Sequence, residues 1–255
     1  MFFMKNPLSQ FEIRDLIIVD FPLLNYLHLS LTNITGYILI SFILITIMNI
    51  MTNKNTHIVY RNWNLNKESI YDTVDNIVEN QINKNDAGKM YFPFILTLFM
   101  FILVNNLMGM VPYSFSTTSH FVLTFSLSFT IVLGATILGL KKHNLKFFSL
   151  FVPAGCPLAL LPALVLIEFL SYLARNVSLG LRLAANVLSG HMLLNILSGF
   201  TFKIMTSGFI YFFIGLLPLS FIIAFSSLEL AIAFIQAQVF VVLTCGYIKD
   251  AVELH

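Results

Sequence analysis

The chain has 255 residues, of which 58% are hydrophobic and only 10% carry a charged side chain. Soluble domains contain about 25% charged residues, so this composition excludes an ordinary soluble domain and indicates an integral membrane protein in a lipid bilayer. The net charge of +2 is too small for the basic surface of a nucleic-acid binder, and we expect no nucleic-acid partner.

The N-terminal segment, residues 1–30, is expected to lie outside the bilayer. Lys5 is followed by polar residues and by no long apolar core, so the segment does not resemble a secretory signal. No Asp, Glu, Lys or Arg occurs between Asp20 and Lys54. Residues 31–52 are therefore predicted to form the first helix across a hydrocarbon core of about 30 Å.

Residues 66–87 have the pattern of an amphipathic helix. Apolar side chains recur at helical spacing on one face, namely Ile70, Val74, Ile77, Val78 and Ile82. Charged side chains occupy the other faces, namely Glu68, Asp72, Asp75, Glu79 and Lys84. We expect this helix on the inner, matrix-side membrane surface or against a partner. An ordinary helix in a solvated loop is the alternative.

Residues 90–140 contain two further spans, because no Asp, Glu, Lys or Arg occurs in them. Asn105, Asn106, Gly109, Pro112 and the polar run 114–119 divide the two spans. Lys and Arg residues are concentrated in segments 52–89 and 141–155. Such segments face the cytoplasm or the matrix. The distribution predicts five crossings, with the N-terminus outside and the C-terminus inside.

The last two apolar stretches, residues 157–200 and 207–250, are too long for upright spans. A helix of about 37 residues measures about 55 Å, against a core of about 30 Å. We predict two long, strongly tilted helices joined as a hairpin, since four short spans would need charged loops that the sequence lacks. The predicted fold is an all-α integral membrane protein, a single membrane domain over 1–255, with about five crossing helices and one amphipathic surface helix.

Arg182 lies inside the first of these long stretches. An arginine at membrane depth costs at least about 3 kcal/mol, and it does not escape that cost by losing its proton. A permanent charge in such a position indicates function. The alternative is a buried ion pair with Glu229 or another acid, although no carboxylate lies within one helical turn in the sequence.

A stripe of charged and small polar side chains runs along the same helix. With steps of about 100° per residue, it contains Glu168, Ser171, Arg175, Ser178, Arg182, Asn186 and Ser189. His191 falls on the opposite face. On the last helix, acidic and amide side chains share one face at intervals of seven, namely Glu229, Gln236 and Asp250.

Axial distance sorts the ionisable groups into two clusters, one on each side of Arg182. The inner cluster pairs Glu168 with Asp250, and the outer cluster pairs His191 with Glu229. Counting from the turn puts Glu229 deeper than His191, so the outer pair requires a bend near the proline of the last helix. His and carboxyl side chains are typical of membrane proton relays, and a fixed cation between two half-pathways would block a direct leak.

Each of these residues also has a purely structural interpretation. Glu168 and Asp250 are close enough to helix ends to reach water without conducting protons. In the structural interpretation, Gln236 forms only a hydrogen bond between helices, and His191 only packs against its neighbours. Arg175 is expected to be structural, either paired with Glu168 or reaching lipid headgroups.

Motifs for several kinds of chemistry are missing. The sequence has no Gly-x-x-x-x-Gly-Lys-Ser/Thr loop and no His-Glu-x-x-His, and its six histidines are scattered, so we expect no nucleotide, metal or other cofactor. A transporter or channel would show internal repeats, which are not evident. An intramembrane serine protease would need a Ser/His pair at fitting depth, and a purely structural subunit would not need Arg182.

Two motifs resemble subunit a of the membrane sector of F-type ATP synthase. They are Ser-Leu-Gly-Leu-Arg-Leu-Ala-Ala-Asn with Ser-Gly-His in residues 178–191, and Glu-Leu-Ala-Ile-Ala-Phe-Ile-Gln through Tyr-Ile-Lys-Asp in residues 229–250. The N-terminal run Pro7–Arg14 looks like the fungal mitochondrial version. The resemblance covers essentially the whole chain. It implies a mitochondrial inner membrane location. Fungal relatives lose a short N-terminal leader, and the corresponding cut in this chain would fall before Asn6.

The resemblance also implies roles for the site residues. Arg182 matches the essential arginine that faces the carboxylate of the rotating c-ring. The half-channel open to the intermembrane space matches the outer cluster and two polar positions near the arginine, namely His191, Glu229, Asn186 and Gln236. The matrix half-channel matches Glu168 and Asp250.

The function implied by the resemblance is proton translocation by a stator subunit that catalyses no bond chemistry itself. A proton enters through the outer half-channel and neutralises a ring carboxylate, which can then face lipid. It leaves through the matrix half-channel after nearly a full turn. The implied partners are the c-ring, the peripheral stalk and other membrane subunits.

Overall fold

The computed structural model describes residues 10–20, 28–53, 62–82, 86–111, 114–152 and 160–252. The position before Asn6, where fungal relatives lose their leader, lies outside these ranges. The elements in chain order are β1 Asp15–Asp20, β2 His28–Thr32, α1 Asn33–Asn53, α2 Asn62–Ile82, α3 Asp86–Gly109, α4 Phe121–His143, α5 Leu161–Thr206 and α6 Phe209–Val252. Five of these helices, all except α2, are long and apolar enough to cross a membrane. The predicted all-α membrane fold is confirmed.

A short antiparallel sheet, which the sequence analysis did not predict, precedes the first membrane helix. Ile17 lies opposite Leu31 and Asp20 lies opposite His28, with a register shift between Asp15 and Ile17. β2 ends at Thr32, directly before α1, so the sheet is attached to the end of the first span.

The amphipathic helix α2 packs its apolar face within the chain. The most deeply buried residues of that face are Val74, Val78 and Ile82. The Tyr71 ring contacts that of Phe92 on α3, with ring centroids 4.8 Å apart. The opposite face, which carries the acidic side chains, is largely exposed. The helix therefore has its hydrophobic partner inside this chain rather than only in the lipid surface.

The end of α4 follows from its sequence. Lys141, Lys142 and His143 occupy the last turn, where positive charge interacts favourably with the carbonyl end of a helix. Asn144 then adopts a φ of 51°, a left-handed conformation that asparagine tolerates better than most residues. A 3₁₀ helix, Asn144–Phe151, follows and packs the Phe147 ring against Gly139.

The last two helices form the predicted long hairpin. α5 has 46 residues and α6 has 44, and only Ser207 and Gly208 separate them. At about 1.5 Å per residue they measure about 69 and 66 Å, more than twice a hydrocarbon core of about 30 Å. Pro162 lies in the first turn of α5, where the missing N–H breaks no helical hydrogen bond, whereas Pro218 lies inside α6.

The chain divides into two compact units. One comprises residues 1–50, 101–120 and 184–235, and the other comprises residues 51–100, 121–183 and 236–255. In the first unit, Met205 of α5 packs over Gly215 of α6. In the second, the rings of Tyr172 and Tyr247 lie 5.9 Å apart. Each unit thus contains contacts between the two antiparallel arms of the hairpin.

Candidate functional site

The outer cluster lies in the first unit and joins His191 of α5 to Glu229 of α6. The Nδ1 atom of His191 is 3.7 Å from Oε1 of Glu229, and the two side chains are only 16% and 9% exposed. Both carboxyl oxygens are buried, and no described protein group hydrogen-bonds to them. A buried carboxyl group in this situation is costly unless it holds a proton or meets water. The pair is therefore suited to receive and pass on protons.

Gly190 makes the outer cluster possible. A Cβ atom at this position would lie 2.6 Å from Oε1 of Glu229, well inside van der Waals contact. The absence of a side chain therefore leaves the space that the carboxyl group of Glu229 occupies. In the Gly-His sequence of the motif, Gly190 thus leaves room for the carboxyl group of Glu229, and His191 is the partner of that carboxyl group.

Polar residues around the turn between α3 and α4 belong to the same unit as the outer cluster. Asn106 donates a hydrogen bond from Nδ2 to the carbonyl oxygen of Ala233, one helical turn after Glu229. Asn105 accepts one from Thr117 at 3.1 Å. The sequence analysis used these residues only to divide two spans. The sequence feature that could have identified them is a pair of adjacent asparagines at membrane depth, where a polar side chain is energetically costly.

His120 closes this polar turn. Its ring stacks on that of Phe115, with centroids 5.0 Å apart and an interplanar angle of 23°. Burial lowers the pKa of His120, because the charged imidazolium loses water there. This histidine therefore favours the neutral form near the polar turn.

The inner cluster lies in the second unit and is centred on Arg175. Its Nη2 atom is 3.8 Å from Oε1 of Glu168, and its Nη1 atom is 3.8 Å from Oδ2 of Asp250. All three side chains are between one-third and one-half exposed on the surface of the chain. The sequence analysis anticipated only the Glu168 contact of Arg175; the guanidinium bridges both acids.

Basic residues at the end of α4 bind the end of α6. Lys142 donates from Nζ to the carbonyl oxygen of Val252 at 3.2 Å, and a ring nitrogen of His143 lies 3.0 Å from the same oxygen. This carbonyl belongs to the last turn of α6, where backbone acceptors lack helical partners. The contact steadies the turn that carries Asp250.

Arg182 has a different environment from Arg175. It is exposed on α5, together with Ser178 and Leu181, and its Nη2 atom makes a long contact of 3.5 Å with Oγ of Ser178. Within the described ranges it forms no ion pair with a carboxylate. A permanent charge on an apolar helix is thus directed outward, away from the carboxylates of the described chain.

The two remaining predicted residues differ in burial. Asn186 is exposed on α5, in the first unit, whereas Gln236 is 4% exposed on α6, in the second. Among the described residues, no group of three or more His, Cys, Asp or Glu is arranged to hold a metal ion. The described part of the chain thus offers proton-binding groups and an outward cation.

Comparison with known proteins identifies the family. Residues 34–249 match the family model described as ATP synthase A chain. The chain belongs to the ATP synthase subunit a family. A Penicillium chrysogenum protein named ATP synthase subunit a is 68% identical over 99% of this chain and 98% of its own length.

Two further fungal relatives carry the same name. The Podospora anserina protein is 66% identical over 98% of this chain and 95% of its own length. The Cochliobolus heterostrophus protein is 67% identical over 98% of this chain and 97% of its own length. The resemblance found in the sequence motifs is confirmed. As an ATP synthase subunit a, the chain is a multi-pass membrane subunit of the proton-translocating Fo sector of the complex.

Proposed function

We propose that this ATP synthase subunit a is the stator of a mitochondrial inner membrane enzyme, in which two offset half-channels load and unload the carboxylates of a rotating c-ring. The observation that carries the proposal is Arg182, an exposed cation on an apolar helix without a carboxylate partner among the described residues. Such a charge at membrane depth needs a partner outside the chain. A ring carboxylate has the required charge and depth.

The outer half-channel consists of His191 and Glu229. Their 3.7 Å separation supports proton exchange between them, and their burial limits access from other directions. Asn186 lies between Arg182 and His191 in the sequence of α5, and Gln236 follows Glu229 on α6, so we assign both residues to this half-channel. A proton that arrives through this path neutralises the ring carboxylate, so the ring can turn into lipid without carrying a bare charge.

The inner half-channel consists of Glu168 and Asp250, with Arg175 between them. Because these side chains are partly exposed, a proton released there reaches water readily. Arg182 lies between Arg175 and His191 in the sequence of α5, and its charge opposes a proton that would pass directly from one path to the other. The driving energy is about 2.3 kcal/mol per charge per 100 mV. The subunit itself makes and breaks no covalent bond other than these proton transfers.

The proposal implies further partners. A stator must be held against rotation, so we infer contacts with the peripheral stalk and with other membrane subunits of the complex. The mitochondrial location is supported by the fungal relatives and by the N-terminal resemblance, and the bilayer surrounds the five apolar helices.

The deciding experiment is Arg182→Ala in the assembled complex. We expect loss of proton-driven ATP synthesis with normal amounts of complex, because the variant removes the charge and little packing. Leu181→Ala, which alters the adjacent exposed side chain but keeps the charge, is the matched control and should retain synthesis. Normal synthesis in Arg182→Ala would refute the proposal.

A further inference from the structure

An aromatic residue near the start of the described chain lies against the outer cluster. The ring of Phe11 contacts that of His191 in an edge arrangement, with centroids 6.3 Å apart and an interplanar angle of 62°. Phe11 belongs to a segment, Gln10–Arg14, that we name the N-terminal strap. The strap is far from His191 in sequence, so the contact is a tertiary one.

The strap is tied to the first residue of α1. Asn33 donates from Nδ2 to the carbonyl oxygen of Glu12 at 3.1 Å, and its backbone N–H donates to the carbonyl oxygen of Arg14 at 3.0 Å. The Arg14 backbone N–H donates in turn to Oδ1 of Asn33 at 3.4 Å. These bonds fix the backbone next to Phe11 and therefore limit where its ring can go.

His191 needs such a support. Its Nδ1 atom faces Glu229, but its Nε2 atom is buried and has no hydrogen-bond partner among the described residues. Metal-bound and catalytic imidazoles are usually oriented by a hydrogen bond at the second nitrogen. Here packing must orient the imidazole ring, and the Phe11 ring is an aromatic group that contacts it.

We propose that Phe11 is a positioning residue for proton entry, which holds the His191 ring toward Glu229. This rests on the proposed function, because it assumes that the outer cluster conducts protons. The strap adds no titratable competitor at the ring: Glu12 and Arg14 pair with each other at 3.1 Å and are largely exposed. Glu229 is the carboxyl group that faces the imidazole from α6.

The test is Phe11→Ala in the complete complex, with ATP synthesis measured per assembled complex as the pH on the outer side is varied. Loss of one aromatic contact should reduce the fraction of correctly oriented imidazole by about two- to ten-fold. The rate should therefore fall most at high outer pH, where protons are scarce, and approach the normal rate at low outer pH. Phe11→Tyr keeps the ring and should keep the normal profile.

Two further variants make the test decisive. Ile17→Ala removes an exposed apolar side chain from β1, outside the strap, and should leave the profile unchanged. If Phe11→Ala yields no complex, Phe11→Leu replaces it, since it retains apolar bulk without the ring. A pH profile identical to the wild type in the assembled variant would overturn the proposal.

Failure of this inference is separable from failure of the proposed function. If Glu229→Gln slows synthesis while the Phe11 variants do not, the strap is merely structural and the outer path stands. If neither change affects synthesis, the outer path itself is refuted.

Discussion

The carboxyl group of Glu229 lies against Gly190 on the other arm of the hairpin, in space that any side chain at position 190 would fill. The neighbouring imidazole of His191 completes the outer cluster. The close approach of Gly190 and Glu229 thus brings the two long helices together at the point where we propose that protons enter.

Gly190→Ala should impair proton-driven ATP synthesis. The added Cβ would lie 2.6 Å from Oε1 of Glu229, and overpacking of this kind costs about 1–3 kcal/mol. Adding Glu229→Asp, which shortens the carboxyl side chain by one methylene, should restore part of the rate. Gly199→Ala is the matched control, because no described atom other than those of its chain neighbours and its own helix backbone lies within 4 Å of its Cβ position. Equal rates in the two alanine variants would contradict the proposed crowding.

Glu229→Gln should slow proton flow without opening a leak. The amide keeps the shape of the side chain but exchanges no proton. Loss of one proton-transferring group typically lowers the rate by about 10²-fold or more. Proton uptake by vesicles that contain the complex, with and without ATP synthesis, measures both flow and leak. Glu68→Gln on the exposed face of α2 should behave as the wild type. An unchanged rate would remove Glu229 from the path.

Glu168→Gln and Asp250→Asn should each slow proton release, and their effects should not multiply. Both acids contact the same guanidinium of Arg175, so removal of one changes the pairing of the other. Groups that share a partner depart from additivity by about 0.5 kcal/mol or more, which is about two-fold in rate. The partial exposure of all three side chains favours the lower end of that range.

The control for this coupling is the same pair of changes in an Arg175→Met background. Without the shared cation, the two effects on the ATP synthesis rate should become independent. A double variant whose rate equals the product of the single effects in the wild-type background would show that Arg175 does not link the acids.

Much of the architecture was predictable from the sequence, because membrane helices follow from apolar length and absence of charge. The excess length of the last two stretches also predicted their hairpin. The β1–β2 sheet was not predictable in this way, since its strands are short: β1 is a brief unbroken apolar run, and β2 alternates polar and apolar residues over only five positions. Its position depends on backbone pairing, which composition does not reveal.

The candidate site was predictable in its residue types but less so in its contacts. Counting along straight helices left His191 and Glu229 at different depths, whereas the structure joins them. The bend expected near Pro218 is not what brings them together. The register of the two arms is already set beside the turn, where Met205 packs over Gly215, and the same register continues to Gly190 and Glu229. The second contact of Arg175 and the contact of Phe11 with His191 link residues distant in sequence, for which helical spacing offers no guide.

The short turn of Ser207 and Gly208 has a consequence for how this protein can tolerate insertions and deletions. If the turn keeps its two-residue form, one residue gained or lost there must be taken up by a helix, which would rotate the later side chains of α6 by about 100° and shift them by about 1.5 Å relative to α5. Glu229 would then leave its position beside Gly190, and every later side chain of α6 would change its face. Surface loops usually accept changes of length, but in this turn a change of length would displace a residue of the proposed proton path.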